Sequence, residues 1–209
     1  MKIAFLHALP FDERIWEAQL PAFAEHEVVA PRLYDLGSST DEWALGVLQH
    51  VPGPLVAVGA SMGGYTAAGI ARLAPERRPM RERWIEIARE RGGEGMWEEA
   101  GQTFFPDDAD PAVVERAHEL AAERDPEGLV RAIEAIRDRP DSTEAVTSGI
   151  PLLVVAGDRD PLIPLEVGRS LAEASPNGRL EVLEGCGHLP SMERPDEFNR
   201  ILTGFLASL

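Results

Sequence analysis

Residues 59–64 read Gly-Ala-Ser-Met-Gly-Gly and directly follow the apolar run Leu55–Val58. This is the pattern G-x-S-x-G between a predicted strand and a predicted helix, where a sharp turn pushes one serine side chain out of the fold. The glycines on either side of Ser61 allow the strand and the helix to approach closely. The context therefore predicts that Ser61 is a nucleophile, and that a carboxylate and a histidine follow it along the chain.

The composition is that of a globular protein with a sizeable core. The chain has 209 residues, 44% of them hydrophobic, and a formal net charge of −16. This acidity disfavours nucleic acid and anionic membranes as partners. The single cysteine, Cys186, has no partner for an internal disulfide, which permits the cytoplasmic location that we expect. No apolar stretch is long enough to span a membrane, and the N-terminal run is interpreted as a strand.

Five short apolar runs predict buried parallel strands. They are continuous rather than alternating, as expected when helices cover both faces of a sheet. Helical stretches separate them, so the fold class is α/β. The predicted strands cover 3–6, 27–30, 55–58, 152–156 and 180–183, and the predicted helices among them cover 15–23, 65–73, 166–174 and 195–208.

The pattern changes between about residues 79 and 148, where helical periodicity continues without a strand. Asp110 and Asp125 precede prolines at first-turn positions and are candidate helix caps. A block of helices inserted between sheet strands usually covers the site at the strand ends. We therefore expect one domain over residues 1–209 with a helical lid at about 79–148. The helices predicted in this lid cover 80–91, 94–104, 111–124 and 126–139.

The loops after the fourth and fifth strands supply the other catalytic candidates. The first loop contains Asp158 and Asp160, and the second contains His188. A serine hydroxyl is a poor nucleophile at neutral pH and needs an adjacent base. His188 would take the proton of Ser61 and return it to the leaving group, while a carboxylate on the far ring nitrogen would fix the tautomer.

With the order serine, acid, histidine, the chain resembles the α/β-hydrolases. It is similar to bacterial carboxylesterases, 3-oxoadipate enol-lactonases and cofactor-free haloperoxidase-esterases over nearly its whole length. In similar enzymes the acid stands three residues after the glycine that ends the strand. Counted from Gly157, this implies a triad of Ser61, Asp160 and His188, with Asp158 as the alternative acid.

The resemblance also implies an oxyanion hole, which needs two backbone donors. The first is the amide of Met62, the residue after the nucleophile. By position, the second is the amide of Leu9 in the loop after the first strand. Relatives usually have glycine where this chain has Ala8, so a positive φ there would strain the alanine.

Further residues near this loop have two interpretations each. Phe11 and Trp16 are candidate pocket residues, although Trp16 is equally expected in the core. His7 is expected to brace the loop rather than to act as a second base. Cys186 is close to His188, but we interpret it as a small buried residue in a tight loop.

The chain departs from this branch of the family in its strand count. No apolar run separates the helix after Ser61 from the lid, so an interior strand is missing, and the usual leading hairpin is missing as well. The simplest arrangement of a sheet without that interior strand pairs strand 152–156 directly with strand 55–58. We therefore expect a shortened α/β-hydrolase with about five parallel strands in the order 2-1-3-4-5.

These features predict a serine hydrolase that cleaves small carboxylic esters through an acyl-enzyme. A lactone hydrolase with perhydrolysis as a side activity is the alternative enzyme, and a non-hydrolysing relative that binds a small ligand is the alternative of another class. We expect a small-molecule ester or lactone as the substrate and no cofactor. No cluster has metal-ligand spacing, so no metal is expected.

Overall fold

A computed structural model gives the fold and describes residues 1–51, 55–68, 78–138, 146–147 and 149–209. Each of the five predicted strands is present within two residues of its predicted bounds, and every strand pair is parallel. The strands are β1 Lys2–Leu6, β2 Glu27–Val29, β3 Val56–Gly59, β4 Leu152–Gly157 and β5 Gly178–Leu183.

Helices separate most of the strands along the chain. The described residues include three short 3-10 helices, at Glu13–Trp16, Leu33–Asp35 and Gly101–Thr103. The α-helices are α1 Gln19–Ala22, α2 Thr40–His50, α3 Met62–Ala68, α4 Arg78–Ala100, α5 Pro111–Ala122, α6 Pro126–Asp138, α7 Leu165–Ala174, α8 Pro190–Glu193 and α9 Pro195–Leu206.

Some helices differ from their predicted bounds. The two helices predicted over 80–91 and 94–104 form one bent helix, α4, with its bend at Gly92 where φ is 58°. The helix predicted over 15–23 is broken into a 3-10 turn and the short α1, which contains Pro21, a residue without a backbone N–H. The predicted helix 65–73 extends beyond residue 68 into positions outside the described residues.

The helix caps follow the sequence signals. The carboxylate of Asp110 accepts a hydrogen bond from the N–H of Ala112 at 2.9 Å, and Asp125 accepts one from the N–H of Gly128 at 2.7 Å. Helix α2 was not predicted, although Ser39 caps it by accepting from the N–H of Glu42 at 3.1 Å. The spacing Ser39-x-x-Glu42 is a capping-box signature that would have indicated this helix.

The core lies on both faces of β1. Residues Ile3–Leu6 are at most 1% exposed, and alternate side chains point to opposite faces. Phe5 packs with Trp16 on one face, where α5 adds its apolar side, and Leu6 packs with Trp43 on the other, where α4 and α6 add theirs. None of the described helices has the length and apolar character needed to cross a membrane.

The strands form two sheets rather than one. The first has the order β2-β1-β3 and the second contains β4 and β5, with Phe5 opposite Val58 and Val154 opposite Leu180. Within the described residues, no backbone hydrogen bond joins β3 to β4. The predicted order 2-1-3-4-5 is therefore wrong at the step from β3 to β4.

A cavity of about 470 Å³ lies between the two sheets, and we call it the sheet slot. It is lined by Gly59–Ser61 at the end of β3, by Val154–Gly157 of β4 and by the side of α7 that faces them. Trp16 and Phe198 also line it, and their rings are 6.0 Å apart. Because residues of both β3 and β4 line this cavity, the cavity separates the two strands, which gives the physical reason for the error.

Candidate active site

The turn at Ser61 has the geometry of a strained nucleophile elbow. Its φ is 46°, and it is the only non-glycine residue with a positive φ in the part of the chain that the structure describes. The turn brings β3, β1 and α3 together so closely that a Cβ on Gly63 would lie 2.0 Å from the carbonyl oxygen of Leu6. A side chain at that position is excluded, so the small residue is required by the close approach.

The predicted acid and base meet at the ends of β4 and β5. His188 Nδ1 donates a hydrogen bond to Asp160 Oδ2 at 2.7 Å, and both side chains are almost fully buried. The other oxygen of Asp160 accepts from the N–H groups of Leu162 and Ile163 at 2.8 and 2.9 Å. These bonds fix the carboxylate and leave Nε2 of His188 as the nitrogen available to a nucleophile.

Asp158 has a different role in the same loop. Its Oδ1 accepts a hydrogen bond from the N–H of Gly185 at 2.7 Å, which ties the loop after β4 to the loop that carries His188. No hydrogen bond to His188 is among its contacts with the described residues. The geometry thus pairs Asp160, and not Asp158, with the imidazole.

The predicted nucleophile and the predicted base are not joined in this structure. Nε2 of His188 is buried and has no hydrogen-bond partner among the described residues, so no bond reaches it from Ser61. Ser61 follows β3 in one sheet, whereas Asp160 and His188 follow β4 and β5 in the other. The acid–base pair is therefore assembled, and the serine belongs to the opposite side of the sheet slot.

Two backbone donors are available where the oxyanion hole was expected. The N–H groups of Met62 and Leu9 donate no hydrogen bond to a described residue, and Met62 is the first residue of α3, where helix N–H groups lack intrahelical partners. Ala8 does not have a positive φ, so the strain anticipated for this alanine is absent.

His7 lies behind the oxyanion loop and is fully buried. Its Nδ1 donates to the carbonyl of Ala8 at 3.1 Å, and its Nε2 accepts from the N–H of Leu33 at 2.9 Å. Burial lowers the pKa of His7 to about 4, which keeps the ring neutral at physiological pH. Both nitrogens are occupied by backbone groups, as expected of a brace.

The loop that carries His188 is held by contacts that the sequence did not indicate. Glu193 accepts hydrogen bonds from the N–H groups of Gly187, at 2.9 Å, and Leu189, at 3.2 Å, the two neighbours of the histidine. Burial raises the pKa of this carboxyl. The N–H of His188 donates to the carbonyl of Phe104 at 2.8 Å, which connects the loop to the segment after α4. The short spacing from His188 to Glu193 is the signal that could have identified this brace.

A small cavity of about 50 Å³ reaches Ser61 from the side of α4 and α6, and we call it the lid-side cavity. Phe11 lines neither this cavity nor the sheet slot; it is fully buried and packs edge-on against Phe104 at a ring distance of 5.4 Å. The residues that line the lid-side cavity include Leu9, Tyr65, Trp84, Met96 and Leu162.

Thiol chemistry at Cys186 and a metal ion are the other chemical possibilities near the predicted site. Cys186 is a buried free cysteine, and burial together with the charge of Glu193 raises the pKa of its thiol, which disfavours the reactive thiolate. No group of three or more His, Cys, Asp or Glu side chains could hold a metal ion among the residues that the structure describes.

Comparison with known proteins identifies the family. The sequence model of the alpha/beta hydrolase family matches residues 3–201. This chain belongs to the alpha/beta hydrolase family. Its fold is likewise close to that of a thermophilic esterase from Thermogutta terrifontis, with a TM-score of 0.90 and 26% sequence identity over 100% of this chain and 90% of that one.

Two curated relatives of this alpha/beta hydrolase are named as a lactonase and a hydrolase. 3-Oxoadipate enol-lactonase 2 of Acinetobacter baylyi is 28% identical over 174 residues, which are 74% of this chain and 65% of that protein. A protein of Pseudomonas syringae provisionally named carbamate hydrolase RutD is 36% identical over 94 residues, 45% of this chain and 36% of that one. This chain thus spans less than two thirds of either relative, and together they support hydrolase activity in general terms.

Proposed function

We propose that this protein is a serine hydrolase that cleaves small carboxylic esters through an acyl-enzyme. The observation that carries the proposal is the 2.7 Å bond between His188 and Asp160, which orients a buried imidazole at the carboxyl ends of the strands. The strained turn at Ser61 adds a nucleophile on a neighbouring strand end. Ester hydrolysis needs these three groups and a hole for the oxyanion.

The proposed reaction begins with proton transfer from Ser61 to Nε2 of His188 as the serine oxygen attacks the ester carbonyl carbon. The resulting imidazolium is stabilised by Asp160 and then protonates the leaving alcohol, which gives the acyl-enzyme. A water molecule, deprotonated by the same nitrogen, attacks the acyl-enzyme and releases the acid and the free serine. The unpaired Nε2 is free to accept the first proton once Ser61 comes within reach.

The developing oxyanion would be stabilised by the N–H groups of Leu9 and Met62. Both donors are unoccupied by described residues, which supports this assignment. Such donors act in a site with little water and are typically worth roughly 10²- to 10³-fold each in kcat. We also propose that α4–α6 form a lid of the single domain, since Trp84 and Met96 line the cavity above Ser61.

Hydrolysis of a lactone is the second candidate. A lactone is an internal ester, so the same nucleophile, base and oxyanion hole would open its ring. The match to an enol-lactonase over 74% of this chain supports lactones as the second substrate class.

The test is the turnover of p-nitrophenyl acetate and of a small lactone by the wild type and by Ser61→Ala. We expect Ser61→Ala to lower kcat by roughly 10⁴-fold or more, as removal of a triad serine does. Ser208→Ala, at an exposed position near the C-terminus, is the matched control and should keep wild-type turnover. Equal rates for the wild type and Ser61→Ala would refute the proposal, and the ratio of ester to lactone turnover would rank the two substrate classes.

A further inference from the structure

The sheet slot exposes apolar surface in a place where parallel sheets are normally closed. Strands covered on both faces by helices are usually buried throughout. In β4, however, the slot-lining residues Val154–Ala156 are only half-buried. Val167, on the side of α7 that lines the slot, is 51% exposed. Uncovered apolar walls of this kind favour an apolar occupant.

Ser61, Asp160 and His188 all line the slot, together with the hydroxyl-bearing Ser170 and Ser191. Most of the other lining side chains are apolar, among them Val154, Ala156, Val167 and Leu171. The oxygens of Asp160 are already engaged by His188 and by two backbone N–H groups, so it presents no free acceptor to a polar ligand. A ligand would thus place its reactive group at the triad and an apolar body along the walls.

The two cavities that meet at Ser61 differ about ninefold in size. The lid-side cavity has about 50 Å³, little more than the space of one or two water-sized groups, and the slot has about 470 Å³. At about 30 Å³ per water-sized group, the slot accommodates roughly fifteen non-hydrogen atoms. The bulk of a substrate therefore fits the slot and not the lid-side cavity.

We propose that the sheet slot binds the unbranched hydrocarbon chain of a neutral ester, with roughly eight to ten carbons when the ester group lies at Ser61. This inference rests on the proposed esterase function and narrows its substrate class. The net charge of −16 agrees with a neutral ligand rather than a fatty-acid anion. This hydrocarbon chain belongs to the acyl or to the alcohol half of the ester, and matched substrate series distinguish the two.

The experiment measures kcat/KM for p-nitrophenyl acetate, butanoate, octanoate and decanoate, and for ethyl, butyl and octyl acetate. The blocking variants are Val167→Trp and Leu171→Trp, which add a large side chain from the slot side of α7. Arg169→Trp, exposed on the same helix and outside the slot lining, is the matched control. Binding of 1-octanol, followed by titration calorimetry, provides a readout that does not depend on catalysis.

A fully buried methylene contributes about fourfold in affinity, so the wild type should prefer the eight-carbon over the four-carbon substrate by at least about tenfold in one series. Each blocking variant should lower the octanoate-to-acetate or octyl-to-ethyl ratio by about tenfold and weaken octanol binding, whereas Arg169→Trp should change neither. Circular dichroism and thermal melting verify that the variants are folded.

The measurements distinguish a failure of the slot assignment from a failure of the esterase proposal. Ser61-dependent turnover with a flat chain-length profile in both series would overturn the slot assignment and leave the esterase proposal intact. Octanol binding that the blocking variants weaken, without turnover of any ester, would refute the esterase proposal and support the slot as an apolar-chain site. A dimer in sedimentation velocity that Val167→Trp dissociates, with no octanol binding, would assign the slot to a second copy of this chain and overturn our inference.

Discussion

The two sheets of this molecule differ in how completely they are built. In the sheet β2-β1-β3, the residues of the central strand from Ile3 to Leu6 are at most 1% exposed. In the sheet β4-β5, Leu152–Ala156 are all half-buried, and Val154–Ala156 line the slot. The first sheet carries Ser61, the proposed nucleophile, and the second carries Asp160 and His188, the proposed acid and base. The comparison shows that local sequence shapes each of these strand ends, whereas the distance between the two sheets depends on contacts of other segments.

That distance depends on contacts that lie outside the sheets. Trp16 packs against Phe198 on one face, and the buried side chain of Gln19 donates from Nε2 to the carbonyl of Ser191 at 3.1 Å. The segment after α4 adds the bond from His188 N–H to Phe104. These connections take the place of the backbone hydrogen bonds that would join β3 to β4 in a continuous sheet.

After that of Ser61→Ala, the largest effect is expected within the second sheet. Asp160→Asn should lower kcat by roughly 10³- to 10⁴-fold, because an asparagine cannot hold the imidazole in the required tautomer or stabilise the imidazolium. Asp158→Asn, two residues away, removes a carboxylate that binds Gly185 and not His188, so we expect less than about tenfold. Steady-state ester hydrolysis measures both, and the reverse ranking would transfer the catalytic role to Asp158.

A smaller effect is expected in the first sheet, where His7 braces the oxyanion loop. Its pKa of about 4 in the folded protein is below the 6.5 of an ordinary histidine, so the unfolded chain binds more protons between these values. This contribution to stability is present above pH 6.5 and is lost as the pH falls toward 4. Between pH 7 and pH 5 the loss should be about 2 kcal/mol.

Urea unfolding at several pH values tests the role of His7. His7→Gln should lack this part of the pH dependence, whereas His50→Gln, at the exposed end of α2, should keep it. A wild-type protein and a His7→Gln variant with the same change in unfolding free energy from pH 7 to pH 5 would contradict a buried neutral His7.

The smallest effect is expected at the contact between Gln19, which follows the first 3-10 helix, and Ser191, which follows β5. Gln19→Leu leaves the carbonyl of Ser191 without its buried donor and should lower the free energy of unfolding by about 1 kcal/mol. Gln102→Leu, at an exposed position, is the matched control, and we expect a change below about 0.5 kcal/mol. The two variants are compared by their denaturation midpoints. Equal shifts would show that the hydrogen bond from Gln19 to Ser191 does not stabilise the fold.

The sequence was most informative where short-range patterns control the structure. The continuous apolar runs predicted all five strands, and the aspartates before Pro111 and Pro126 predicted two helix starts, because strand burial and helix capping are local effects. The position of the acid in similar enzymes, counted from Gly157, favoured Asp160 over Asp158, and the structure joins Asp160 to His188.

The errors concern contacts between distant segments. The slot between β3 and β4 could not be predicted from strand patterns, because such patterns identify each strand but not the distance between strands that are far apart in the sequence. Phe11 was expected near the substrate and packs instead against Phe104, since an aromatic residue in a loop fits a core position as well as a pocket. Glu193 is five residues from His188, but its partners are backbone N–H groups, so this short spacing is the one signal in the sequence that points to its role.

The central claim is that Ser61 of one sheet and His188 of the other act as one catalytic unit. Its most direct test is the reaction of the intact protein with a fluorophosphonate, followed by peptide mass spectrometry and by the rate of labelling. We expect a phosphonyl group on Ser61 of the wild type, and labelling slowed by roughly 10³-fold or more in His188→Asn, since the base activates the serine. An unlabelled Ser61, or equal labelling rates in the two proteins, would contradict the account.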